Sequence, residues 1–178
     1  MALHRVHRVD GLTLVEALAA LAILALVAAA AVPALSDWQQ TTRLRSAANS
    51  ILSDLRLAQS EARKRGRTLT VRFSVAPDGA WCYGWRLDTS CDCRLANQCV
   101  VDGVERVVHG STWPGITLTP GVSQNTFAFT PRRGTVTAGH VTLTGSDGSA
   151  IRVTVHGMGR MRLCQPANSP PVADIPPC

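Results

Sequence analysis

Three regimes of hydrophobic and polar patterning follow one another along the chain. The first is Leu12 to Leu35, 24 residues in which Glu16 is the only formal charge. A helix needs about 20 apolar residues to cross a hydrocarbon core, so this run is long enough to span a membrane. In the second, Leu44, Ala48, Ile51, Leu55, Ala58 and Ala62 recur at alternating steps of four and three, which sets them on one face of a helix. Arg45, Asn49, Arg56 and Arg63 fall on the opposite face. Gly66 directly after Arg63-Lys64-Arg65 is a stop signal, with cations at the negative end of the helix dipole. The two regimes together predict one helix from Leu12 to Arg65, roughly 80 Å long at 1.5 Å per residue. Its first half needs a membrane or other subunits, and its second half needs a sheet over its apolar stripe.

The third regime supplies that sheet. Residues 68–75 alternate polar and apolar as a half-buried strand does. Asp78-Gly79 marks a turn, and Trp81 to Leu87 is the next predicted strand. Thr126 to Thr130, Thr135 to Ala138, His140 to Thr144 and Ala150 to His156 follow, with Asp147-Gly148 as a hairpin turn between the last two. Trp81, Tyr83 and Trp85 alternate and so share one side, which suits a core between sheet and helix. Residues 88–112 are cysteine-rich and show little pattern beyond Val104 to Val108. The tail from Pro166 to Cys178 holds five prolines and is predicted to be extended. One helix followed by a series of strands makes the fold class α+β. The expected organisation is a leader at 1–11, a membrane or filament-core half-helix at 12–35, a soluble head at 36–165 and the proline-rich tail at 166–178.

The glutamate near the start of the apolar run changes the picture most. A charge at the centre of a membrane helix costs roughly 2.5–3.5 kcal/mol, less near an end, so such residues are functional by default. Reaching the headgroups is the alternative at one turn's depth. An ordinary secretory signal has an apolar region of only about 7–15 residues ahead of a small-residue cleavage site, and a plain signal anchor has no use for Glu16. A short basic leader ending in Gly11, an apolar run and a glutamate five residues past the glycine resemble the prepilin leader of type IV pilins and type II secretion pseudopilins. The resemblance implies that a prepilin peptidase cuts between Gly11 and Leu12 and that the new amino terminus is methylated. It also implies that Glu16 pairs with that amine on a neighbouring subunit, and that Pro33 is the helix-bending proline. Leu12 departs from the family's usual Phe while remaining apolar. The expected location is the bacterial inner membrane, single-pass with the head in the periplasm, and then an extracellular pilus.

Composition fits an exported head. The formal charge is +6, and the leader accounts for +1 of it through Arg5, Arg8 and Asp10, leaving about +5 on the mature chain. Such a balance favours anionic partners without choosing among them. Cys82, Cys91, Cys93, Cys99, Cys164 and Cys178 are even in number, which in an oxidising compartment indicates disulfides. The simplest arrangement is two local bridges within 82–99 plus Cys164–Cys178. A metal site of Cys91, Cys93 and Cys99 with His109 is the alternative, although Cys-x-Cys is not the usual zinc spacing. No cofactor and no catalytic motif is found. His109, His140 and His156 are dispersed in sequence.

Towards the C-terminus, F-T-P-R-R-G at 129–134, a hairpin and a final G-x-G-R-x-R resemble the GspH/FimT branch of minor pilins and pseudopilins. The motif resembles the one with which FimT-type pilins bind DNA in natural transformation. Carried over, Gly159, Arg160 and Arg162 become the DNA site, and Arg132, Arg133 and Arg152 could widen it. If the segment is extended, Arg160 and Arg162 leave the same side, roughly 6–7 Å apart. A planar guanidinium suits phosphate because it donates two parallel hydrogen bonds. Arginines closing an edge strand also serve merely to keep that edge solvated. Two functions therefore stand at this point: a minor pilin that binds double-stranded DNA for uptake, or a structural minor pilin or type II secretion pseudopilin that primes filament assembly. Other pilin subunits are partners in both.

Overall fold

The computed structural model describes residues 14–132 and 134–178, with the backbone alone at 30–34 and 37. Gly11, Leu12 and Arg133 lie outside those residues. The chain divides into two units, Met1–Trp38 and Gln39–Cys178. A single helix, α1 (Leu14–Arg65), carries Glu16 in its first turn and Arg63, Lys64 and Arg65 in its last, and remains helical through Pro33. In the first unit Leu14, Val15, Leu18, Leu21, Ile23, Leu24, Leu26 and Val27 are all exposed. Among the described residues no helix is long and apolar enough to cross a membrane. The run expected to do so also takes in residues 12–13 and 30–34.

The second unit owns the core. The predicted stripe of α1 is its spine: Leu44, Ala48, Ile51, Leu55, Ala58 and Ala62 are each 0–1% exposed, joined by Ala47 and Leu52. Small residues on the stripe let strands approach closely, and the larger ones fill the spaces between them. α1 stops at Gly66, whose φ of +65° reverses the chain while its N–H bonds back to the Arg63 carbonyl.

Among the described residues ten strands follow: β1 (Leu69–Val75), β2 (Trp81–Leu87), β3 (Val100–Val101), β4 (Val104–Glu105), β5 (Val107–His109), β6 (Thr117–Gly121), β7 (Thr126–Phe129), β8 (Gly139–Thr144), β9 (Ala150–Val155) and β10 (Met161–Cys164). They form two four-stranded antiparallel sheets rather than one, in the orders β5-β2-β1-β7 and β10-β9-β8-β6, plus the small β3-β4 pair. Period-two alternation fixes which side each strand buries. From the first sheet, Leu69, Val71, Phe73, Trp81, Tyr83, Trp85, Phe127 and Phe129 enter the core. From the second come Leu118, Val141, Leu143, Ile151, Val153, Val155 and Met161, all within one continuous cluster with α1.

The strand expected at Thr135 to Ala138 is absent. Its hydrogen bonds are divided: Thr137 N–H donates to Ala128 on the first sheet, and Val136 N–H donates to Gly157 beside the second. Val136 alone forms a bridge, to Phe129. A segment shared between two sheets cannot join a ladder in either. β6 escaped the sequence reading because Pro120 and Gly121 end it; it survives as an edge strand, where a missing donor is tolerated.

The first sheet is covered on its second face as well. Disulfides Cys82–Cys93 and Cys91–Cys99 fold the cysteine-rich segment over β2. Thr70 Oγ1 donates to the Thr89 carbonyl at 2.6 Å, sealing that layer. Gly84 is required there, since a Cβ would lie 2.5 Å from Cys99 Sγ. Cys91, Cys93 and Cys99 are thus all bonded to sulfur, which removes the thiolates of the metal alternative. The third disulfide, Cys164–Cys178, returns the proline-rich tail to β10. There Cys178 N–H donates to the Gln165 carbonyl and Val172 enters the core. Arg45 donates to the Ala173 carbonyl and lies 3.9 Å from Asp174, so this cation clamps the tail instead of facing solvent alone.

Candidate functional site

The G-x-G-R-x-R segment turns the chain from β9 into β10. His156 N–H donates to the Arg160 carbonyl at 2.9 Å and Gly159 N–H donates to the His156 carbonyl at 2.7 Å, closing a tight hairpin. Gly159 has φ +79°, a conformation that disfavours other residues. A Cβ there would also lie 2.9 Å from the Gly134 carbonyl and would strike the Gln59 amide, which itself donates to the Gly159 carbonyl. The glycine therefore docks the hairpin against α1 and against the F-T-P-R-R-G loop in one step.

Past the turn, burial alternates: Arg160 exposed, Met161 buried, Arg162 exposed. Met161 faces the core, so both arginines leave the outer face of the second sheet. In register, Arg162 lies opposite Thr154, which lies opposite His140; Cys164 lies opposite Arg152, which lies opposite Thr142. Arg152 is thus one strand across from the two hairpin arginines and on the same face. Its Nε donates to Thr142 Oγ1 at 3.2 Å, which holds the side chain along the sheet. The structure also brings His140 and His156 to this side, while His109 sits on β5 of the other sheet. Burial, and then the neighbouring Arg152, hold His140 below the ordinary imidazole value, so it is neutral at pH 7. Thr117, Thr119, Thr142, Thr144 and Thr154 supply hydroxyls to the same face.

What distinguishes this face is its lack of acid. The four strands contain no Asp or Glu, and after Glu105 the chain holds only Asp147 and Asp174 against six arginines. Several cations elsewhere are paired with carboxylates. Arg65 pairs with Glu61 and Asp102, Lys64 with Glu61, Arg67 with Asp88 and Arg94 with Asp92. Among the described residues, no ion pair reaches Arg132, Arg152, Arg160 or Arg162. Arg132 is exposed on the loop after β7, whose closing residues Thr130 and Thr135 bond to each other. That loop adjoins the hairpin through the bond from Val136 to Gly157. The threonine hydroxyls and His140 were not singled out from sequence. Those of β8 and β9 share the face through the hairpin at Asp147-Gly148, but Thr117 and Thr119 are placed here only by the pairing of β6 with the non-consecutive β8, which no local pattern shows.

The arrangement can bind an extended polyanion. It has guanidinium donors on a rigid antiparallel hairpin, hydroxyl donors beside them and no carboxylate to compete. It has no nucleophile held by a base, and among the described residues no cluster of metal ligands.

Comparison with known proteins finds two family matches. Residues 47–159 match the family described as type II transport protein GspH, and residues 7–32 match the prokaryotic N-terminal methylation motif. Among solved structures, the chain is similar to the minor pseudopilin EpsH from the type 2 secretion system of Vibrio cholerae. Identity is 19% and the TM-score 0.52, over 71% of this chain and 99% of that one. It is also similar to the type IV minor pilin FimU of Pseudomonas aeruginosa. There identity is 20% and the TM-score 0.53, over 76% of this chain and 98% of that one. At such identities the likeness concerns the fold. No curated protein sequence matches the chain.

Proposed function

The chain belongs to the GspH family of minor pilins and pseudopilins, structural and non-enzymatic subunits, and on that premise we propose that it is a FimT-like minor pilin whose head binds DNA. The prepilin motif carries with it a peptidase, other pilin subunits, and anchoring in the inner membrane before entry into a filament. In our reading the peptidase cuts between Gly11 and Leu12, Glu16 meets the new amine of a neighbour, and Pro33 bends the helix. The head then offers Arg160 and Arg162, with Arg152 and Arg132 beside them, to double-stranded DNA taken up from outside the cell.

One observation carries the DNA assignment: Arg160 and Arg162 stand exposed on one face of a rigid hairpin, and no described carboxylate neutralises them. Recognition would run through phosphates and so would not depend on base sequence. The test is a salt series with the full chain in a non-ionic detergent and a short DNA duplex. Each phosphate contact contributes about 0.9 to the log–log salt slope. R160Q/R162Q should flatten the slope by about 1.8. A double variant that binds as the parent does would remove these residues from the site.

The family name and the fold shared with a secretion pseudopilin favour a second reading. In it the chain primes assembly of a pseudopilus and the arginines only keep the β10 edge solvated. Deletion that abolishes filaments, with no DNA affinity in the purified chain, supports that reading. Deletion that abolishes transformation while filaments persist supports the first.

A further inference from the structure

We infer that the polyanion surface does not end at the sheet but continues onto α1, where Arg63 and Arg56 form its second rail. The inference rests on the DNA reading above and adds residues that the G-R-x-R motif does not contain.

The argument starts from how the hairpin is docked. Gln59 of α1 donates to the Gly159 carbonyl at 3.2 Å, so the hairpin turn lies directly on this side of the helix. One turn further on, Arg63 extends over the F-T-P-R-R-G loop: a Cβ at Gly134 would lie 2.8 Å from Arg63 Nη2. The Gly134 carbonyl in turn abuts Gly159. Helix, loop and hairpin therefore meet at Gly134 and Gly159, and each brings an exposed arginine to the junction: Arg63, Arg132 and Arg160. Arg56 precedes Arg63 by seven residues, two helical turns, and so lies on the same stripe about 10 Å along the axis.

These helix cations differ from their neighbours. Arg65 and Lys64 share Glu61, and Arg65 also reaches Asp102. Arg56 and Arg63 are exposed and have no ion pair among the described residues. A cation in the last turn of a helix gains from the dipole whatever else it does. That role is already filled by Lys64 and Arg65, and it gives no reason for a guanidinium to lie across Gly134. Two rows of guanidinium groups, one on the sheet face and one on the helix, with the hairpin between them, match a duplex better than a single strand. A duplex presents phosphates from two backbones.

The experiment is the same salt series on the full chain in non-ionic detergent, with R63Q, R56Q/R63Q, R63K and R43Q. Arg43 is an exposed cation 16 residues before Gln59, about 24 Å along the helix, and serves as the remote control. R63Q should lower the slope by about 0.9 and R56Q/R63Q by about 1.8, while R63K and R43Q keep the parent's value. Melting temperatures measured in parallel identify any variant whose hairpin has come loose, and R63K keeps the charge in place. If R56Q/R63Q retains the parent slope while R160Q/R162Q flattens it, the helix rail is overturned and the sheet site stands. If R43Q flattens the slope as much as R63Q, the effect is net charge alone and the rail is likewise overturned. If the parent itself ignores DNA, the broader reading falls and takes this one with it.

Discussion

Tyr83 and Asp54 join the middle of the first sheet to α1 through one polar bond. The phenol donates to Asp54 Oδ2 at 2.6 Å, with the Tyr83 ring fully buried between Trp81 and Trp85. Burial pushes the Asp54 carboxyl above its ordinary value, against the hydrogen bond that pulls it down. Burial, followed by the Asp54 contact, pushes the phenol up as well. An acid whose folded value is raised holds its proton longer folded than unfolded, so folding weakens as pH rises through that window. The parent should therefore lose stability relative to D54N as pH rises from about 4, the ordinary aspartate value, read from denaturant midpoints. D54N keeps the acceptor. Y83F leaves a half-buried carboxylate without its donor and should cost about 1–3 kcal/mol at neutral pH. The buried stripe of α1 was legible residue by residue because helix period and burial coincide there. The Asp54–Tyr83 bond was not, since nothing in an isolated pattern says which polar residue of a helix meets which strand.

At the scale of elements, the tail and the cysteine-rich segment compensate for irregular backbone with covalent closure. The tail's apolar contribution is Val172 and the partly buried Ile175, and the rest of its hold on the head comes from Cys164–Cys178, Gln165 and the Arg45 clamp. Closing a loop of this size stabilises by about 3 kcal/mol in the chain-entropy account. C164S/C178S should lose about that much by urea titration and make the tail the first site of limited proteolysis, with the sheets intact. Strands with an unbroken alternation, β1, β2, β8 and β9, were readable to within a residue or two. The segment at 135–138 misled because alternation alone does not distinguish a ladder strand from a strip that lends its hydrogen bonds to two sheets. The division into two sheets was hidden for the same reason: it depends on where Val136 and the 130–135 loop send the chain, not on any strand's own pattern.

For the whole molecule, the sequence features behind the proposed function lie at its two extremes. The N-terminal methylation motif, matched over residues 7–32, points to the prepilin route, and the G-R-x-R hairpin is the site proposed for DNA. The helix-borne arginines in between looked like an ordinary solvated face, because their meaning depends on a loop some 70 residues later. Processing should leave Leu12 as the first residue, measured by mass spectrometry of the chain recovered from filaments. E16L should insert into the inner membrane as well as the parent, because it removes a costly charge, yet stay out of filaments, as read by shearing and immunoblot.

The double covering of β2 sets a condition on manufacture. The sheath over its far side has almost no regular structure of its own and is secured by four sulfurs. A head made where thiols stay reduced would expose a flat, aromatic-backed ribbon to every other copy nearby. If the head folds on the far side of the inner membrane, as proposed, supply of the subunit would be tied to the thiol-oxidising machinery there, and a cell short of such oxidants would lose this component through clumping before any fault appeared in its export.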